Sequence, residues 1–173
     1  VAAPPVPPAA KISVVDAQQI TEAFEDAFDQ ALVFHGFTDS MRDYDLIIYA
    51  TADPRTGIPP EYLRYRFSCC VRATVTSTVT PEIWGRSLDD RLLDFEQGRE
   101  LDGYVWGVRW QELYPGPKLL PATAETTAWS ARLGRPVREA VIEANAHSIR
   151  LVFADLSVDR LAPGYSPFVV GES

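Results

Sequence analysis

Hydrophobic and polar positions first fall into a regular order at Asp16. From there Ile20, Phe24, Ala27, Phe28, Ala31 and His35 recur at helical spacing, while Glu22, Glu25, Asp26 and Asp29 occupy the other faces. Asp16 and Gln19 have the spacing of a capping box, and Gly36 suits a left-handed helix end. The pattern predicts one amphipathic helix with a single buried stripe, ending beside His35. YDLIIYAT, residues 44–51, has the β-branched and aromatic content of an interior strand. Beyond it Leu63, Tyr65, Phe67, Cys69, Val71, Ala73, Val75 and Val79 alternate with Arg64, Arg66, Ser68, Arg72, Thr74, Thr76 and Thr78. As one straight strand, this run would reach roughly 60 Å at ~3.3 Å per residue, longer than a domain of this size spans. A bulge, bend or turn must interrupt it, leaving one bent strand or a hairpin.

The remaining elements are shorter. Thr80 and Pro81 suit the start of a helical turn through Trp84, and Ser87 with Asp90 opens a short helix through Leu88, Leu92 and Phe95. Tyr104, Trp106, Val108 and Trp110 alternate as a strand, closed by YPGP. Ala122 or Thr123 opens a further helix in which Ala124, Ala128, Trp129, Ala131 and Leu133 are expected to pack inward before Gly134 stops it. Val137 to Ala144 and Ile149 to Leu156 form a hairpin around Asn145-Ala146-His147-Ser148. Helices interrupting hairpin-like strands, without regular βαβ crossovers, predict an α+β fold. The expected form is a mainly antiparallel twisted sheet of about five or six strands, covered on one face by the N-terminal amphipathic helix, with two shorter helices. Residues 13–162 make the single domain, residues 1–12 a Pro/Ala-rich disordered tail, and residues 163–173 an irregular C-terminal segment.

Composition narrows the function. The 173-residue chain carries 16 Lys and Arg against 24 Asp and Glu, a formal charge of -8. An acidic chain without a basic stripe argues against nucleic acid as a partner, and no run of ~18 apolar residues is present to span a membrane. The two cysteines, Cys69 and Cys70, are adjacent in an alternating run and so poorly placed to bridge each other. They suit a reducing cytoplasm, with Cys69 as a buried structural thiol.

The motifs for phosphate cradling, a nucleophile elbow or a zinc finger are absent from the sequence, and no cofactor is implied. His35 and His147 are the only histidines. His35 followed by Asp39, Asp43 and Asp45 offers candidates for an acid/base site (His35, Asp43, Asp45) or a hard-cation site (His35, Asp39, Asp43). The competing reading keeps His35 on the buried helical stripe, at the negative end of the helix dipole. His147 and Asn145 read as turn residues, and Tyr104, Trp106 and Trp110 as core rather than a ligand groove. Arg64, Arg66 and Arg72 form a basic row that either pairs with acidic side chains or presents a binding surface.

The segments FDQALVFHGFTDSMRDYDLIIYATADPRTGIPPEYLRYRFSCCV, SLDDRLLDF, DGYVWGVRWQELYPG and LVFADLSVDRLAPGYSPFVV together resemble the YxiG-like proteins, a bacterial family common in actinobacteria. The resemblance covers about residues 24–170 and includes His35 to Asp45. It implies a single-domain cytoplasmic protein and carries no catalytic residues to transfer. The leading expectation is a non-enzymatic binding or interaction module that sequesters a basic partner, as toxin-immunity proteins do. The alternative is a small enzyme or ligand-binding protein with a His/Asp acid-base or metal site near the end of the first helix.

Overall fold

The computed structural model describes residues 12–14, 16–38, 40–50, 57, 59–78, 81 and 111–168. Its elements are β1 (Ile12–Val14), α1 (Ala17–Ala27), β2 (Ala31–Thr38), β3 (Asp43–Ala50), β4 (Glu61–Ser68), β5 (Arg72–Ser77), β6 (Gln111–Glu112), β7 (Gly116–Leu119), α2 (Ala124–Leu133), β8 (Arg138–Glu143), β9 (His147–Phe153) and β10 (Asp155–Arg160). The fold is α+β. The strands form two antiparallel sheets rather than the single one expected: β1-β10-β4-β3-β2-β6 and β5-β9-β8-β7.

A corner explains the second sheet. The alternating run from Leu63 onward leaves the first sheet after Ser68, turns at Cys69 with φ +50°, and re-enters the second sheet at Arg72. It is one bent strand, not a hairpin. Its neighbour bends at the same level, where Ala154 separates β9 from β10 and its N–H donates to the Ser68 carbonyl at 3.0 Å. The two strands thus cross together from sheet to sheet, the bend letting each sheet keep its own twist. Tyr65, Phe67 and Leu156 from the first sheet then face Ala140, Leu151 and Phe153 from the second in one core. Phe67 and Phe153 meet edge to face with ring centres 4.8 Å apart.

The N-terminal helix is shorter than its sequence pattern. Asp16 caps it, accepting from the Gln19 N–H at 2.8 Å, and Ile20, Phe24 and Ala27 are buried. It ends at Ala27. Asp29 takes φ +59°, and its N–H donates to the Leu113 carbonyl at 3.0 Å. Ala31, Leu32 and His35 then belong to β2, whose hydrogen bonding to β3 on one side and β6 on the other outweighs a helical spacing that was accidental. Phe28, expected on the buried stripe, is 45 % exposed. Against the first sheet, Phe24 lies 6.1 Å from the Phe67 ring and the Tyr65 hydroxyl donates to the Ala23 carbonyl at 2.9 Å.

The second described helix matches its predicted start and stop. Thr123 and Thr126 form a reciprocal capping box, and Gly134 ends the helix with φ +63°. Its inward face differs: Thr126 is buried, while Ala124, Ala128, Ala131 and Leu133 are exposed. The hairpin around residues 144–147 is present, closed by the Ala144 N–H donating to the His147 carbonyl at 2.9 Å. Cys70 rather than Cys69 is the buried thiol, and both are free. The predicted helix through Leu88 to Phe95 and the strand bearing Tyr104, Trp106 and Trp110 lie outside the described residues, as do the turn at residues 82–84 and residues 1–11.

Candidate functional site

β2 carries a bulge between Leu32 and Phe34, and this irregularity aims His35. Leu32 opposes Ile48 and His35 opposes Leu46, so both side chains point to the inner, core-facing side of the first sheet. Were the pairing regular through Val33, His35 would oppose Asp45 and point to the outer face. His147 opens β9 and shares the inner face of the second sheet with Ile149 and Leu151. The two imidazoles meet across the gap between the sheets. His35 Nε2 lies 2.9 Å from His147 Nδ1, and the rings stand edge to face with centres 5.1 Å apart.

The network extends at both ends. Tyr44 Oη lies 2.8 Å from His35 Nδ1, and Gln111 Nε2 lies 3.2 Å from His147 Nδ1. One proton arrangement satisfies all of these contacts. The Tyr44 hydroxyl donates to His35 Nδ1, His35 Nε2–H donates to His147 Nδ1, and the Gln111 amide donates to the same acceptor. Both imidazoles are then neutral. Burial, with His147 alongside, pushes the His35 pKa down to about 4, and burial also lowers that of His147. Burial lifts the Tyr44 hydroxyl to about 12. One group is left over: Gln111 Oε1 is buried without a hydrogen-bond partner.

The acidic partners proposed for His35 are elsewhere. Asp45 opposes Gly36 and Arg66 on the outer face of the sheet, away from the imidazole. It is fully buried and accepts from Arg66 Nε at 2.9 Å and Nη2 at 3.0 Å. Asp43 shares that face, as its parity with Asp45 required; it accepts from the Cys69 N–H at 3.0 Å and lies 4.0 Å from Arg66 Nη1. His35 therefore has neither the position at a helix end nor the Asp43 and Asp45 carboxylates that the sequence offered it. Asp39 lies outside the described residues. Among the described residues no group of three His, Cys, Asp or Glu side chains has metal-holding geometry.

The arginine row is paired. Arg64 binds Asp159 at 2.9 Å and lies beneath the Tyr165 ring, in the irregular segment after β10. Arg66 binds Asp45, and Arg72 bridges Glu125 of α2 and Glu139 of β8 at 3.0 Å each. Asn145 is a structural cross-tie: its side-chain oxygen accepts from the Glu112 N–H at 3.1 Å.

A groove with no counterpart in the sequence pattern lies between α1 and β7. It has a volume of about 470 Å³; its apolar lining is Phe24, Phe28, Pro115, Pro117 and Leu119, and Thr21, Glu25 and the cationic Lys118 complete it. Phe28 packs on Tyr114 with ring centres 5.8 Å apart, and both rings are roughly half exposed, 45 % and 58 %. Several acidic residues lie on α1 and in the segments next to the groove, whose own charged lining is Glu25 and Lys118. Glu22, Glu25, Asp26 and Asp29 are exposed, and Glu112 has its pKa raised by burial and by the neighbouring Asp29. The sequence signal was the acidic face of α1; the apolar floor is assembled from the distant YPGP segment.

Compared with known proteins, the family described as YxiG-like protein matches residues 16–171. No curated protein and no solved structure matches the chain. No helix among the described residues is long and apolar enough to cross a membrane.

Proposed function

From the premise that the chain belongs to the YxiG-like protein family, we propose that it is a non-enzymatic interaction module whose groove between α1 and β7 seats a basic segment of a partner protein. The observation that carries this is the exposed Phe28–Tyr114 pair set beside the mutually repelling carboxylates of Asp29 and Glu112. Aromatic faces and carboxylates together suit guanidinium or ammonium groups, which bind the acids and lie over the rings. A cation placed there also relieves the repulsion. The chain charge of -8 would steer such a partner. Two free thiols fit action in a reducing compartment such as the cytoplasm.

A labelled peptide alternating Arg and Leu, titrated into the ¹⁵N-labelled full chain, tests the reading. Amide shifts are expected at residues 24–30 and at the non-proline residues of 111–119, with binding weakened by salt. Asp29→Asn combined with Glu112→Gln should weaken binding at least fivefold. Shifts scattered over other acidic surfaces, or binding indifferent to that double substitution, would defeat the proposal.

A further inference from the structure

The histidine pair plays no part in the groove, and its chemistry points elsewhere. Two imidazole nitrogens from different sheets face one another at 2.9 Å, and the side-chain amide of Gln111 comes within 3.2 Å of one of them. The amide oxygen is buried with no partner. A buried acceptor without a donor is costly, and a half-turn of the amide would bring that oxygen to the edge of the histidine pair.

We propose that His35 Nε2, His147 Nδ1 and Gln111 Oε1 form a binding site for a divalent transition-metal ion of the zinc class, joining the two sheets. Imidazole nitrogens with an oxygen donor suit Zn²⁺, Co²⁺, Ni²⁺ and Cu²⁺ rather than Ca²⁺ or Mg²⁺. The ring spacing is already right. With bonds of ~2.0–2.1 Å, a tetrahedral ion sets the centres of its two imidazole ligands roughly 5.2 Å apart, with their nitrogens roughly 3.3 Å apart. The rings stand 5.1 Å apart centre to centre. The 2.9 Å and 5.1 Å separations place the two nitrogens nearly in line between the rings, so each ring has to swing by roughly 35°, carrying its nitrogen by ~0.7 Å, for both lone pairs to converge on one ion.

The surroundings support the same use. Tyr44 Oη at 2.8 Å can accept from His35 Nδ1–H, which leaves the Nε2 lone pair free for the ion. Ligating histidines are commonly oriented in this manner through their second nitrogen. β2 supplies His35, β6 supplies Gln111 opposite Leu32, and β9 supplies His147 opposite Ser77, so all three donors sit on paired backbone. Three protein donors leave a fourth position for water.

The test uses Cu²⁺ and Co²⁺ on the purified 173-residue chain. Because the chain has only two histidines, a Cu²⁺ electron paramagnetic resonance spectrum showing two coupled imidazole nitrogens assigns the site without any variant. A spectrum with one nitrogen or none overturns it. Co²⁺ is expected to bind once per chain with the visible bands of a four-coordinate ion, and Zn²⁺ should displace it. His35→Gln and His147→Gln should each remove the bands, and Gln111→Leu should weaken binding about tenfold. Tyr44→Phe, which removes the group orienting His35, should weaken it by roughly 10-fold. Co²⁺ binding that survives both histidine substitutions would place the ion elsewhere and end the proposal.

Discussion

Asp45 is a carboxylate with no exposed surface, held by two hydrogen bonds from Arg66. Such a pair contributes little net stability compared with an apolar pair of the same shape, yet breaking it leaves a charge without a partner. Asp45→Ala should therefore destabilise the fold by about 3 kcal/mol in urea unfolding. A loss below about 1 kcal/mol would show that Arg66 finds another counter-ion. His35 ties stability to pH. Its pKa is near 4 in the fold against 6.5 in the unfolded chain, so on acidification the unfolded state takes up the proton first. Its contribution to stability is complete above pH 6.5, declines as the pH falls towards 4, and changes little below that. The metal-free chain should follow this course in a pH series of urea unfolding curves. In His35→Gln the slope across this window should be shallower; an unchanged slope would assign it to other groups.

At the scale of elements, Cys69 decides how the longest alternating run is used. Its φ of +50° is a conformation that costs an L-residue roughly 1–2 kcal/mol. The Asp43 carboxylate, accepting from the Cys69 N–H, and the Arg42 carbonyl, accepting from the Cys70 N–H at 2.8 Å, hold the corner. Cys69→Gly should raise stability by up to about 1 kcal/mol, and Cys69→Val should lower it by about as much or more, read from urea midpoints at constant slope. If both substitutions shift the midpoint the same way, strain at this residue is not the governing effect. α2 depends on its cap instead, since its buried face is only Thr126. Thr123→Ala should cost about 1 kcal/mol, with helix loss visible in amide exchange at residues 124–127 before the sheets open.

For the whole molecule, the two sheets share bent strands and one core, so they are expected to unfold together. Phe153→Ala, which removes a fully buried ring packed on Phe67, should cost about 3–5 kcal/mol while fluorescence and circular dichroism transitions remain coincident. Separate transitions would mean that the corner does not couple the sheets. The sequence alone determined the α+β class, the antiparallel pairing, the cap at Asp16, the limits of α2, and the need for a break after residue 63. These are local matters of periodicity, capping chemistry and turn residues, carried by neighbours in the chain. Only tertiary structure decided that α1 stops at Ala27, that the run bends into a second sheet, and that His35 meets His147 instead of Asp43 and Asp45. Ala31 to His35 carry a helical spacing and strand-forming side chains at once, and hydrogen bonds to partners far along the chain resolve the conflict. A one-residue bulge then chooses the face on which His35 lies, a change that leaves no mark on the pattern of hydrophobic positions.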